Sequence, residues 1–403
     1  MKRVVITGVG FYSPLGTTKD EVLTKLKLGE NVVHIYEKFQ EYKSTNTHLA
    51  CEVTTDLPNF PRKKVRTAGR IGKLAIAATE NAIKDSGLEI DELNALSCGV
   101  AYGSCGGSST DLEDVAKFCS AKDVSFLNGT TYPAIMPHQA AVNIAIFFGI
   151  HGRIIATSTA CTSGSQAIGY AYESIKSGSC DVMVAGGAEE LSPYAVGVFD
   201  ALYATSPQSN PKLAPRPFDV NRDGLVVGEG AGTLILEEYE HAQARGAKIY
   251  GEVLGFGTNC DAAQMTSPSK EYMAACLKLA LKNAHLEPQD IGYINAHGTG
   301  TIIGDIAEGS ATSEVMGNKI PVSTLKSYMG HTLGAAGALE AIFSMYMQED
   351  GFLCPNLNLK TPDEKCGELD FIMDSGRIMK PEIIMTNNFA FGGVNTSLII
   401  KKI

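Results

Sequence analysis

Along the chain, short apolar runs alternate with stretches of helical spacing, a pattern that predicts an α/β protein rather than a bundle or an all-β sandwich. Arg3 to Thr7 reads as an opening strand, and Thr17-Thr18-Lys19-Asp20-Glu21 starts a helix after the Gly8-x-Gly10 pair. Ile154-Ile155-Ala156 reads as another strand. It passes through small residues around Cys161 into helical spacing at Ile168, Ala171, Tyr172 and Ile175. Residues 31 to 60 have no period and read as an irregular excursion. The chain closes with two strands, Ile383 to Thr386 and Val394 to Ile400, around Asn387-Asn388-Phe389-Ala390-Phe391-Gly392-Gly393. A Gly-Gly turn behind two aromatics predicts a hairpin able to work as a hinged flap.

The pattern also repeats. Ala78 to Leu93 aligns without gaps on Cys276 to Ile291, with Leu88 on Leu286 and Leu93 on Ile291, a constant offset of 198 residues. Each copy is an amphipathic helix, a Leu-Glu turn and a short buried strand, Cys98 to Gly103 in one and Tyr293 to Gly298 in the other. The expected architecture is therefore two similar α/β halves with helices between the sheets, and sites at strand ends where the halves meet. Residues 1–245 form the half with Cys161, and residues 246–403 the half with His297, Lys326 and His331.

Composition narrows this picture. A chain of 403 residues exceeds one ordinary core, and 42 glycines with 7% aromatic residues suit tight turns and close backbone approaches. A net charge of -10 argues against nucleic acid as a general partner. Ten scattered cysteines without a C-x-x-C pair imply reduced thiols in a cytoplasmic protein, not disulfides or a zinc site. The N-terminus enters a strand at once, leaving no room for a signal peptide, and the longest apolar run, Ala140 to Ile150, is too short to span a bilayer. A dinucleotide site at Gly8 and Gly10 is disfavoured, because Ser13 stands in place of the third glycine and no acidic residue caps a second strand; a tight turn explains the pair better. The basic run Arg62-Lys63-Lys64-Val65-Arg66 fits either a solvated face or a docking patch for an acidic partner.

Cys161 at a strand-to-helix junction is either a reactive thiol favoured by helix N-terminal N–H groups or a buried structural cysteine. His297 and His331 sit in comparable loops among glycine and threonine, and Ser323 to His331 runs into a helix rich in Ala and Gly that is expected to pack closely on the helix after Cys161. Cys161, His297, His331 and Lys326 lack carboxylates placed as metal ligands or paired acids, so no metal is expected. A thiol with two imidazoles suits acyl transfer through a thioester, with imidazole N–H groups stabilising charge on oxygen. Lys326 either holds a histidine in place or shifts its pKa. The second histidine points to a second charged intermediate, such as an enolate.

Four motifs in order, Ser158-Thr-Ala-Cys161-Thr-Ser163, Asn295-Ala-His297-Gly-Thr299-Gly-Thr301, Lys326 to Gly337 and Asn387 to Asn395, resemble those of the β-ketoacyl-acyl-carrier-protein synthases of the thiolase superfamily. The resemblance runs from Val4 to the last strand. It implies a duplicated αβαβα thiolase-like fold with a five-layered core, a homodimer, and acyl carrier protein as partner. No cofactor is implied beyond the 4'-phosphopantetheine that carries the substrates. Cys161 would take the acyl group, with the N–H groups of Cys161 and Phe391 as oxyanion hole. His297 and His331 would stabilise the enolate left when malonyl-acyl carrier protein loses carbon dioxide, and Lys326 would support His331. Thr299 and Thr301 would bind pantetheine, and Glu340 would lie behind the histidines. Gly106, Ile135 and Phe391 would shape the acyl pocket, with the Tyr132 to Pro137 segment reaching the partner subunit and the Asp261 to Pro268 loop moving beside Phe391. Arg62, Lys63, Lys64 and Arg66 would dock the carrier.

The chain departs from the family pattern at Ala390, where glycine is usual and where alanine would stiffen the flap, and at Ile302-Ile303, which replace a proline-containing stretch. The leading expectation is decarboxylative condensation in fatty acid elongation. The alternatives are the same chemistry in an aryl polyene or type II polyketide pathway, in a heterodimer with a chain-length-factor-like subunit, and a non-catalytic chain-length partner. Retention of Cys161 disfavours the last.

Overall fold

The computed structural model describes residues 1–403, the side chain of Ile90 excepted. Its main sheet has eleven strands: β1 (Val4–Tyr12), β2 (Cys98–Gly103), β3 (Ile154–Thr157), β4 (Val182–Glu189), β5 (Gly230–Glu238), β6 (Gly251–Cys260), β7 (Tyr293–Asn295), β8 (Pro321–Ser323), β9 (Asp370–Phe371), β10 (Ile383–Phe389) and β11 (Val394–Lys401). Their spatial order is β9-β8-β7-β10-β11-β6-β1-β5-β4-β2-β3. Reading outward from the middle, β1-β5-β4-β2-β3 and β6-β11-β10-β7-β8 follow one scheme: two antiparallel pairings, then two parallel ones. The two runs join only through Val5 opposite Glu252 and Ile6 opposite Gly251. The helical repeat in the sequence is thus part of a repeat of the whole sheet topology, and β9 is an addition to the second copy.

Helices complete the layers. α1 (Gly69–Ser86) and α2 (Gln139–Phe148) cover the outer face of the first run, while α4 (Lys270–Ala284) and α5 (Ile302–Met316) cover that of the second. α3 (Ser163–Lys176) and α6 (Ala336–Asp350) lie between the runs and touch strands of both. Position explains composition: every residue of α6 from Ala336 to Gln348 is buried, and a helix covered on all sides must be apolar or small all round. α3 and α6 approach at glycines, as their composition predicts. A Cβ on Gly164 would lie 2.8 Å from the Gly334 carbonyl oxygen, and one on Gly337 2.6 Å from the Ser165 nitrogen.

Two local expectations are corrected. β1 continues through Gly8 and Gly10 to Tyr12, so these glycines make no turn. They are small because α1 lies against them: a Cβ at Gly8 would come within 2.6 Å of the Ser86 Cβ, and one at Gly10 within 2.8 Å of the Asn81 Cβ. The stretch from residue 31 to 60 is not wholly irregular, since His34–Ile35 and Leu49–Cys51 form a small sheet with Val227–Gly228. These strands are too short to show a period. No helix among the described residues is long and apolar enough to cross a membrane.

Candidate active site

Cys161 stands where β3 gives way to α3. A 3-10 turn, Ala160–Thr162, joins them, and Ala160 takes the left-handed φ of 50°. That conformation strains an alanine and marks an over-determined turn. The second half repeats the device: Leu333 has φ 49°, the 3-10 turn Leu333–Ala335 follows, and α6 begins. Gly334 is therefore the positional counterpart of Cys161. A side chain cannot fit there, because a Cβ would lie 2.9 Å from both the Ser104 Cα and the Glu189 Oε2. Lys326 and His331 come from extra chain inserted between β8 and this turn, which includes the one-turn helix Lys326–Met329. The second half thus lends its histidine and lysine to the nucleophile position of the first.

The groups converge. His331 Nε2 lies 2.9 Å from Cys161 Sγ. The Leu333 amide donates to His331 Nδ1 at 3.2 Å, which places the ring proton on Nε2, directed at sulfur. The His297 and His331 rings meet edge to face with centroids 5.2 Å apart, and His297 Nδ1 is buried without a partner. Burial, with the nearby Lys326 charge, holds both imidazoles well below their usual pKa, so both are neutral at pH 7. Burial pushes the Cys161 thiol up to about 12; the Lys326 charge and the backbone N–H groups of Cys161 and Phe391 act in the opposite sense. Lys326 makes its buried ion pair with Glu340, whose other oxygen accepts from Asn388 Nδ2 at 2.7 Å. Of the two roles open to Lys326, the structure favours the electrostatic one, since its bond goes to Glu340 while its charge acts on both histidines.

Sequence reasoning missed several carboxylates. Glu308 on α5 accepts from the amides of His297 (2.6 Å) and Gly298 (2.7 Å), and Asp305 accepts from those of Thr299 and Gly300 (both 3.1 Å). Burial raises Asp305 to about 6 and Glu308 to about 8. Together they clamp the histidine loop from the following helix. The available signal was acidic residues facing the loop from the first two turns of α5, which alone does not distinguish a clamp from an ordinary helix start. Glu189, raised by burial to about 7, accepts from the amides of Cys105 (2.8 Å) and Gly334 (3.3 Å) and ties the stretch after β2 to the Leu333–Ala335 turn.

A cavity of about 340 Å³ opens onto these groups, lined mainly by apolar surface. Cys161, His297, His331, Thr299, Thr301 and Phe391 all line it, and the Thr299 and Thr301 hydroxyls are 3.0 Å apart. Phe391 stacks on Phe199 with centroids 5.9 Å apart. The turn that carries it is fastened to the Asp261 to Pro268 loop by the Gly392 amide donating to the Met265 carbonyl (2.7 Å) and the Asp261 amide to that of Gly393 (2.8 Å). Gly106 and Ile135 do not line this cavity within the single chain. Gly106 is exposed with no atom within 4 Å of a Cβ placed on it, and the Ile135 carbonyl packs against Gly107. Arg62, Lys63, Lys64 and Arg66 are all exposed.

The ligand atoms of Cys161, His297 and His331 lie within 4.8 Å of one another, close enough to surround a metal ion. The chemistry opposes one: the Leu333 amide occupies His331 Nδ1, so Nε2 carries the proton a metal would displace, and the Lys326 charge repels cations from the same pocket.

A thiol beside two neutral imidazoles, set at the junction of a duplicated α/β unit, defines the class as an acyltransferase of thiolase-like fold. Comparison with known proteins makes this specific. The chain belongs to the β-ketoacyl synthase family, whose N-terminal domain matches residues 1–242 and whose C-terminal domain matches residues 250–360. It is 39% identical to 3-oxoacyl-(acyl-carrier-protein) synthase 2 of Vibrio cholerae serotype O1, across 100% of this chain and 99% of that one. The crystal structure of a β-ketoacyl synthase from Burkholderia phymatum STM815 is 49% identical, with a TM-score of 0.98 and full coverage of both chains. The structure of AntDE with AntF, a type II polyketide synthase acyl-carrier protein in complex with its ketosynthase, is 31% identical with a TM-score of 0.89, covering 100% of this chain and 99% of that one.

Proposed function

We propose that this protein is a 3-oxoacyl-acyl-carrier-protein synthase that elongates fatty acyl chains. The observation that carries the reading is the convergence of Cys161, His331 and His297. In the first stage Cys161 sulfur attacks the thioester of an acyl carrier protein. The backbone amides of Cys161 and Phe391 hold the oxyanion, pantetheine sulfur leaves with the thiol proton, and the acyl group stays on Cys161. In the second, malonyl-acyl carrier protein binds with its thioester oxygen toward the two imidazoles, and Thr299 and Thr301 hold the pantetheine arm. Carbon dioxide leaves and the N–H groups of His297 and His331 hold the enolate. The enolate carbon attacks the acyl-cysteine, and the sulfur of Cys161 departs as thiolate and takes up one proton from solvent. Neutral imidazoles are suited to this, since they donate hydrogen bonds without a cation that burial would penalise.

The carrier's acidic surface is received by Arg62, Lys63, Lys64 and Arg66, and the protein works in the cytoplasm. A homodimer is supported by the sheet edge. β3 is an end strand with exposed Ile154, and Ile146 on the adjacent α2 is exposed as well, a surface that a second copy would cover. The likeness to a polyketide ketosynthase favours a second reading, the same condensation in a secondary-metabolite pathway with a chain-length-factor-like subunit on that edge. The deciding experiment is turnover with saturated, polyunsaturated and aryl acyl carrier proteins, with and without Cys161→Ala. Acyl mass on Cys161 and carbon dioxide release with saturated chains support the first reading, aryl or polyene preference supports the second, and an adduct on another residue refutes both.

A further inference from the structure

The two turns that meet at the reaction centre are fastened differently. In the first half Ala160, at φ 50°, is stapled from within: the hydroxyl of Ser163 accepts from the Thr159 amide (3.0 Å) and donates to the Ala160 carbonyl (2.7 Å). In the second half Leu333, at φ 49°, takes the place of Ala160, and the position of Ser163 falls to Ala336. No hydroxyl stands there to close the turn. A leucine in the left-handed region persists only where its surroundings impose that conformation.

The bond that replaces the staple comes from the other half of the chain. Glu189, the last residue of β4, is 5% exposed, and its Oε2 accepts from the Gly334 amide (3.3 Å) and from the Cys105 amide (2.8 Å). The Cys105 carbonyl in turn accepts from Ser158 Oγ (3.1 Å), just before the cysteine turn. The peptides on both sides of Leu333 are therefore tied, the Gly334 N–H to Glu189 and the Leu333 N–H to His331 Nδ1 (3.2 Å). Without the first bond the Leu333 backbone is free to rotate, and the second loses its direction. That second bond keeps the proton of His331 on Nε2, 2.9 Å from Cys161 Sγ. Stability alone does not account for the carboxylate. Its hydrogen-bond partners are amides, with no lysine or arginine among them, and a buried acid without a cation is a cost to the fold.

We propose that Glu189 is a positioning residue for the condensation: it fixes the strained Leu333 turn so that His331 keeps one tautomer, with Nδ1 bare and the Nε2 proton directed at the reacting atoms. This role rests on the reading proposed above only for what His331 does in turnover; the tautomer itself is independent of it.

The test is nitrogen NMR of the full-length protein with labelled histidine at neutral pH, on the parent, Glu189→Ala and Glu189→Gln, with His331→Gln to assign the signals, alongside carbon dioxide release from malonyl-acyl carrier protein. The parent should show His331 in a single tautomer, Nδ1 unprotonated. In Glu189→Ala both His331 ring nitrogens should move toward the average of two exchanging tautomers. The same variant should lose about tenfold in kcat with little change in KM, because a misdirected donor is missed chiefly in the transition state. Glu189→Gln keeps an oxygen where Oε2 stands and should retain the parent tautomer and most of the turnover. A single, unchanged tautomer in Glu189→Ala, however far its Tm falls, overturns the proposal, and so does equal loss in both variants. Should Glu189→Ala not fold, amide exchange in the parent decides: the Leu333 and Gly334 amides should open together, and a Gly334 amide that exchanges freely while that of Leu333 stays protected overturns the proposal. A parent that releases no carbon dioxide refutes the condensation, and the ring signals still decide the role of Glu189.

Discussion

Lys326 and Glu340 form the buried ion pair nearest the reaction centre, at 1% and 0% side-chain exposure, and two substitutions separate what the pair does for the fold from what it does for the thiol. In Lys326→Met, Glu340 keeps only the Asn388 amide as partner and remains buried. Breaking a buried pair from one side costs about 3–5 kcal/mol, because the remaining charge is uncompensated. At about 2.1 cal/mol/K per residue, 403 residues have an unfolding entropy near 0.85 kcal/mol/K, so a loss of about 4 kcal/mol lowers Tm by about 5 °C. The same change removes the cation that opposes burial at Cys161 and depresses both histidines. The thiol should become still harder to ionise, each pKa unit costing about 1.4 kcal/mol.

Adding Glu340→Gln to Lys326→Met removes the stranded carboxylate. Stability should return to within about 1 kcal/mol of the parent, since a neutral replacement of a buried pair is close to isoenergetic, while the missing cation leaves the thiol as unreactive as in the single variant. Thermal unfolding reads the first quantity, and the pH dependence of Cys161 alkylation by iodoacetamide reads the second. Recovery of both alkylation and Tm in the double variant would refute the electrostatic role of Lys326 and leave it a packing residue.

The remaining expectations concern other parts of the site. Because burial holds both imidazoles well below 6.5, neither should gain a proton as pH falls through 6.5, which the ring nitrogen shifts of labelled His297 and His331 read directly; a half-maximal point there would show an ordinary, solvated histidine. The same groups bind fewer protons folded than unfolded, so they cost stability only as pH drops below about 6.5, visible as a declining denaturant midpoint on the acid side. Glu308→Gln removes one of two acceptors clamping the His297 loop and leaves a buried amide unpaired, at a cost of about 1–3 kcal/mol. Decarboxylation should fall more than acylation of Cys161, and equal losses would contradict the assignment. Gly164→Ala drives a methyl to 2.8 Å from the Gly334 carbonyl oxygen and should destabilise the fold by about 1–3 kcal/mol in urea, whereas a neutral result would mean α3 and α6 can separate. Ala390→Gly should speed amide exchange at Phe391 and Gly392 if alanine stiffens that turn, and unchanged protection would remove the argument.

The repeat of apolar spacing within Ala78 to Leu93 and Cys276 to Ile291 was legible because a helix with one buried face must advertise it every three to four residues. The middle layer was legible for a different reason, since α6 is buried all round and its run of alanine and glycine has few other uses. The reactive groups could be named because thiol, imidazole and ammonium are rare among small residues at strand ends. The carboxylates could not. Asp305 and Glu308 look like the acidic first turns of any helix, and only the fold shows that they face inward to hold four consecutive amides of the histidine loop. Lys326 is the sharpest case. The residues alone left it either holding a histidine in place or shifting its pKa, and the family resemblance implied support of His331; the short helix Lys326–Met329 turns its ammonium toward Glu340, fourteen positions on, so that it acts on the histidines and the thiol through its field. Local spacing identifies which groups a site owns; which of them touch is decided by what each buried charge must find as a partner, and that is a property of the packed molecule.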